Sequence, residues 1–167
     1  LSATGHLFVD APVTGGSIGA DEGTLTFIAS GSAAAMSAAR PVMQVMGAKI
    51  AECGDHAGPG STVKMINQMM CGIMVAASAE AIALAAKAGA DPNVVFDVIA
   101  SGAARSYVWE NRVPAMLAHD FTPRGVVGIF TKDLAIALEG AKDVSFPAPL
   151  TAAAMQQFIA ATAMGHG

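Results

Sequence analysis

Residues 58–70 read GPGSTVKMINQMM. A Gly-Pro-Gly turn opens an apolar run in which a single lysine, Lys64, is followed by the amides Asn67 and Gln68. The next charged residue is Glu80 and the next lysine is Lys87. Three chemistries fit such a stretch: a nucleotide-binding loop, a membrane helix with a flanking charge, and a helix carrying a catalytic lysine. The stretch also divides the chain, because the pattern before it differs from the pattern after it.

Before it the pattern is α/β. HLFVDAPV (6–13) is a strand whose end is set by Pro12. TLTFIAS (24–30) is a β-branched and aromatic run between Gly23 and Gly31, a second strand. SAAAMSAARPVMQVMG (32–47) is helical, and Pro41 is expected to start a second short helix because proline breaks a helix interior. AKIAECG (48–54) is a third strand. After it only helical patterns follow. A long helix is expected over 58–88, with Gly89 just past its end. In DPNVVFDVIAS (91–101), Asp91 is the N-cap and Pro92 the first helical residue. SYVWENRVPAMLAHD (106–120) is helical and punctuated by Pro114, and GIFTKDLAIALEGAKD (128–143) and PAPLTAAAMQQFIAATAMG (147–165) are further helices. The expected fold is mainly α. Residues 56–167 form an all-helical C-terminal domain that begins with the long helix, and residues 1–55 form a partial α/β domain. Three strands make a poor open sheet alone, so the α/β part reads as the end of a larger domain.

Composition narrows the function. The chain has 167 residues, 53% hydrophobic and 13% charged, against roughly 25% charged in an average domain. This argues for extensive burial, including burial in a subunit interface. The net charge is −4 and Lys and Arg do not cluster, which argues against nucleic acid. Cys53 and Cys71 form neither a CxxC pair nor a metal spacing, so reduced thiols and no metal are expected. LSATGHLFVDAPV has no basic segment followed by a long apolar core, so a cytoplasmic protein is expected. Residues 65–86 are long enough to cross a bilayer. Asn67, Gln68, Ser78 and Glu80 interrupt them, however, and a mid-membrane carboxylate costs about 2.5–3.5 kcal/mol on insertion scales, so no membrane span is expected.

The nucleotide reading of GPGSTV has the correct context, after a strand and before a helix. It lacks the third glycine, which is Val63, and the acidic residue about 20 positions on, Glu80, lies in the same helix rather than at a strand end. The lysine leaves two readings open. Residues three and four apart share a helix face, so Lys64 lies beside Asn67 and Gln68. Lys64 either extends to solvent from the helix start or sits desolvated, where burial eases proton donation near neutral pH. In DAPVTGGSIGADEGTL (10–25), Thr14-Gly15-Gly16 is a sharp turn whose backbone N–H groups and hydroxyl can cradle a carboxylate, or simply an ordinary glycine-rich turn.

Together, DAPVTGG (10–16), GPGSTVKMIN (58–67) and KDLAIAL (132–138) resemble, in that order, three motifs of the β-hydroxyacid dehydrogenases. The resemblance covers nearly the whole chain, and ENRVPAMLAHDFTP (110–123) looks like the threonate-type branch. It implies an NAD- or NADP-dependent oxidoreductase of short 3-hydroxy acids, with Lys64 as the proton donor or acceptor. Asn67, with Gln68 beside it, and Thr14, Gly15 and Gly16 would bind substrate, the last three its carboxylate. Lys132 and Asp133 would stand toward the cofactor. The α/β part would be the end of a Rossmann-type cofactor domain, the long helix would join the domains, and the helical domain would form a homodimer or homotetramer. The sequence departs from the family at Gln68, where a second Asn is common, and at Gly125, where Phe is common. The family's opening strand, GxGxxG and helix are not seen here. The resemblance therefore implies the C-terminal portion of such an enzyme, inactive alone because the cofactor's binding loop is missing. The apolar helical part also fits another class of function, a non-catalytic helical oligomerisation module.

Overall fold

Pro12 has no N–H to give a sheet, and the strand expected to end there stops short of it. That strand is β1 (Val9–Asp10), and a further short strand, β2 (Val13–Thr14), follows the proline. Both pair antiparallel with β3 (Leu25–Gly31), Asp10 opposite Ser30 and Val13 opposite Phe27. Between the two short ladders the Ile28 N–H donates to the Pro12 carbonyl at 2.8 Å. A helix, α2 (Ala33–Met46), then leads to β4 (Gly47–Gly54), which pairs parallel with β3 and completes a four-stranded sheet. A computed structural model describes residues 4–122 and 125–166, so Pro123 of ENRVPAMLAHDFTP and the first three residues lie outside the described residues.

One expectation for this part needs correction, and one element was not expected. The turn at Thr14-Gly15-Gly16 leads directly into a helix. Gly15 and Gly16 take φ of 131° and 65°, which glycine tolerates, and a short helix α1 (Gly16–Asp21) begins at once. Glycine-rich GSIGAD has poor helix propensity, and tertiary contact overrides it, since Gly19 is buried where a Cβ would meet Leu25 at 3.4 Å. Pro41 does not start a new helix, because α2 runs through it. Pro41 is exposed, so water can satisfy the carbonyl that it deprives of a partner. Met36 and Met43, seven residues apart on one face, bury on either side of it in a cluster with Phe27 and Ala29.

The remaining elements are helical: α3 (Pro59–Ala88), α4 (Pro92–Ser101), α5 (Tyr107–Leu117), α6 (Val127–Asp143) and α7 (Pro149–Ala163). The chain resolves into two compact units, which divide between Asn67 and Gln68 inside α3. The division falls later than the composition shift near residue 55 because the first turn of α3 bonds to the sheet, as described below. In the first unit the core lies between α2 and the sheet. In the second, Ala76, Leu134, Ala154 and Phe158 form the buried cluster, with Phe130 stacked on Phe158 at a centroid distance of 5.0 Å. Gly72 lets α3 approach α6, since a Cβ there would lie 2.8 Å from Leu134. Asp91 caps α4 through the Asn93 N–H, and Ser106 caps α5 through the Trp109 N–H. Pro114 falls in the last turns of α5 without ending it.

Candidate active site

The start of α3 is occupied by a carboxylate from within the chain. Asp10 Oδ2 accepts from the Gly58 N–H at 3.0 Å and the Ser61 N–H at 2.8 Å, and Oδ1 accepts from the Ser61 hydroxyl at 2.6 Å. The Ser30 hydroxyl donates to Asp10 Oδ2 at 3.3 Å and accepts from the Gly60 N–H at 3.0 Å. A Cβ on Gly60 would sit 2.5 Å from the Ile28 carbonyl oxygen and 2.9 Å from that of Asp10. The glycine is thus a seat for α3 on β1 and β3. Partial burial pushes the Asp10 carboxyl up, but the Ser61, Gly58 and Ser30 hydrogen bonds outweigh it and hold the carboxyl below its ordinary value. Sequence reasoning missed Asp10, Ser30 and Ser61. Their partners lie 20 to 51 residues away, so no local capping pattern marks them. The only available signals were the acid heading DAPV and the hydroxyl one residue past Gly60.

Lys64 follows Ser61 by one helical turn, and Asn67 follows Lys64 by another, so the three share a face of α3. Lys64 and Asn67 are half-buried. Also in the first unit, Thr14 closes β2 opposite Thr26, and Gly15 and Gly16 open α1. The first backbone N–H groups of α1 have, as at any helix start, no intrahelical acceptor, and among the described residues no side chain caps them.

The second unit joins the other three candidates. Gln68 Nε2 donates to Asp133 Oδ2 at 2.6 Å, and Lys132 Nζ lies 2.6 Å from Asp133 Oδ1. Asp133 is buried, whereas the Lys132 side chain is largely exposed. A carboxylate only accepts, so the bond turns the Gln68 amide nitrogen toward Asp133 and orients the group.

A dinucleotide pyrophosphate needs backbone N–H groups open at a helix start. The GPGSTV turn does not fit it, because Asp10 and Ser30 already take the Gly58, Gly60 and Ser61 N–H groups.

Residues 58–167 match the family model for the NAD-binding segment of NADP-dependent 3-hydroxyisobutyrate dehydrogenase. The chain belongs to the β-hydroxyacid dehydrogenase family. Residues 1–54 match the NAD-binding domain of 6-phosphogluconate dehydrogenase. Both models describe NAD-binding segments, so the cofactor class of this β-hydroxyacid dehydrogenase chain is NAD or NADP. It is 45% identical to an L-threonate dehydrogenase of Cupriavidus necator over 167 residues, all of this chain and 56% of that protein. A solved 3-hydroxyisobutyrate dehydrogenase from Salmonella typhimurium superposes with a TM-score of 0.92 at 41% identity, over 99% of this chain and 58% of that one. The Mycobacterium tuberculosis 3-hydroxyisobutyrate dehydrogenase, solved with L-serine, gives 0.88 at 32% identity, over 99% and 58%. The chain therefore spans a little over half the length of these β-hydroxyacid dehydrogenases.

Proposed function

We propose that the whole protein is an NAD(P)-dependent dehydrogenase of short 3-hydroxy acids, to which this chain contributes the acid–base lysine and substrate groups. The observation that carries this is a half-buried ammonium, Lys64, with the Asn67 amide one turn on, on a helix seated against the sheet, in a chain of this family. A bound nicotinamide would supply the hydride acceptor or donor, and the chain's own residues handle the proton and the substrate. Lys64 takes the proton from the substrate hydroxyl in oxidation and gives it back to the carbonyl oxygen in reduction. Asn67, with Gln68 oriented by Asp133, hydrogen-bonds the substrate. Thr14, Gly15 and Gly16 hold its carboxylate, and Lys132 and Asp133 would contact the cofactor. Two relatives support a substrate of this size: one is named for L-threonate, and another was solved with L-serine, itself a short 3-hydroxy acid.

The test is Lys64→Ala in a full-length enzyme carrying this sequence. Loss of general acid–base catalysis lowers kcat by about 10²–10⁴-fold, with little change in the KM for cofactor. Wild-type turnover would remove Lys64 from the mechanism.

The same reading includes a cytoplasmic homodimer or homotetramer formed through the helical part. The alternative, a helical oligomerisation module without chemistry, draws on the same surface. By length and composition α3 could span a membrane, with a window of mean hydropathy 1.8 of which 22% is buried in the chain. Its amides and Glu80, which accepts from Gln157 Nε2 at 2.8 Å, favour protein over lipid as its cover. Leu84, Val94, Val98 and Leu150 are also exposed. Sedimentation of the chain should show a dimer or larger species, and a clean monomer would remove the oligomer from both readings.

A further inference from the structure

The substrate reading of DAPVTGG uses Thr14, Gly15 and Gly16 and leaves Asp10 without a part, although Asp10 accepts four hydrogen bonds. We propose that Asp10 is a positioning residue for Lys64: by clamping the first turn of α3 to β1 and β3, it fixes the helix face and the local field in which the lysine exchanges its proton. This rests on the acid–base reading of Lys64.

Geometry supplies the first argument. Side chains on a helix lean toward its N-terminus and cover the turn before their own Cα. For Lys64 that turn is Gly60-Ser61, the one Asp10 and Ser30 hold. The Gly60 backbone is in contact with the Ile28 and Asp10 carbonyls, with no room for a methyl group. Rotation or retreat of this turn would therefore break several bonds at once, and Lys64 would move with it. A displacement of about 1 Å from a productive geometry can cost roughly 10²-fold in rate.

Electrostatics supplies the second. A helix start carries about half a positive charge, which disfavours an ammonium nearby. A carboxylate bonded to the Gly58 and Ser61 N–H groups offsets it. The hydrogen-bond partners of Asp10 from β3, α3 and the turn before α3 are neutral: the Ser30 and Ser61 hydroxyls and backbone N–H groups. Asp55 and His56, in the segment leading to α3, are exposed and bond to each other at 2.8 Å. Asp10 thus places a negative charge directly on this helix start, and removing that charge should make Lys64 give up its proton more readily.

The experiment compares Asp10→Asn, the Ser30→Ala/Ser61→Ala double variant and Lys64→Ala in the full-length enzyme, following kcat against pH and the KM for NAD(P). Asp10→Asn should shift the limb due to Lys64 toward acid by roughly 0.2–0.7 pH unit, and lower kcat by about 10-fold with the cofactor KM unchanged. The double variant keeps the charge and loosens the clamp, so it should lower kcat without moving the limb. An Asp10→Asn enzyme with the wild-type limb and kcat overturns the proposal. If Asp10→Asn does not fold, a double variant with wild-type kcat overturns it instead. Wild-type turnover in Lys64→Ala overturns the acid–base reading itself. Lost turnover there beside an Asp10→Asn enzyme with the wild-type limb and kcat overturns the positioning role alone.

Discussion

Asp10 shows how one side chain can decide between readings of a motif thirty or more residues away. The carboxylate occupies the place a phosphate would need, so GPG in this chain is a close-packing device. The consequence for stability has a definite sign. Asp10 has a folded-state pKa below its ordinary value, which is about 3.9 in an unfolded chain. Above the unfolded value the carboxylate is charged in both states and its stabilisation is fully present. That stabilisation is lost as pH falls through the lower folded value. Urea unfolding at steps from about pH 6 to about pH 3 should show the wild type losing stability more steeply than Asp10→Asn. Parallel curves would show that Asp10 is not such a tie. Spacing alone left Lys64 between a solvated residue and a catalytic one, because three- and four-residue intervals report a shared face and nothing about what the face meets. The Gln68–Asp133 bond was equally hidden, since it spans 65 positions.

The elements were read well where periodicity and caps agree, as in α4 with Asp91 and Pro92 and in the run that became β3. Prolines were read unevenly. Pro12 marks the end of a strand, as expected, although a second short strand follows it, while Pro41 and Pro114 sit inside helices they were expected to interrupt or punctuate. Proline removes one hydrogen bond wherever it stands. Whether the element survives depends on packing on either side, such as Met36 and Met43 in α2, and a local pattern does not contain that packing. The contact between α3 and α6 is a second case. Gly72 looks like a weak point in a helix, yet a methyl there would press on the fully buried Leu134. Gly72→Ala should therefore destabilise the protein by about 1–3 kcal/mol through overpacking, despite the better helix propensity of alanine. Chemical denaturation would measure this, and a gain in stability would show that the two helices can part at no cost.

At the scale of the molecule, the shift from α/β to helix near residue 55 was visible as composition, whereas the compact units divide after Asn67. The difference has a physical source: a helix belongs to whatever its side chains and backbone touch, and the first turns of α3 touch the sheet. The first unit holds Thr14, Gly15, Gly16, Lys64 and Asn67, and the second holds Gln68, Lys132 and Asp133. Because the GPGSTV turn is closed to a pyrophosphate, the 167-residue chain should bind NADH and NADPH only weakly. In a calorimetric titration, affinity tighter than about 1 mM, near −4 kcal/mol, would mean that some other element supplies the phosphate contacts.

Helix starts are ordinarily where a chain frays, because their amides have only water or a single cap to hold them. In α3 the order should be reversed. The Gly60 amide is buried and held by the Ser30 hydroxyl of β3, so it should exchange with solvent mainly when the helix leaves the sheet. Hydrogen–deuterium exchange should find it among the slow amides of the first unit. Its exchange rate would then act as a clock for the detachment of α3, readable without substrate, cofactor or turnover.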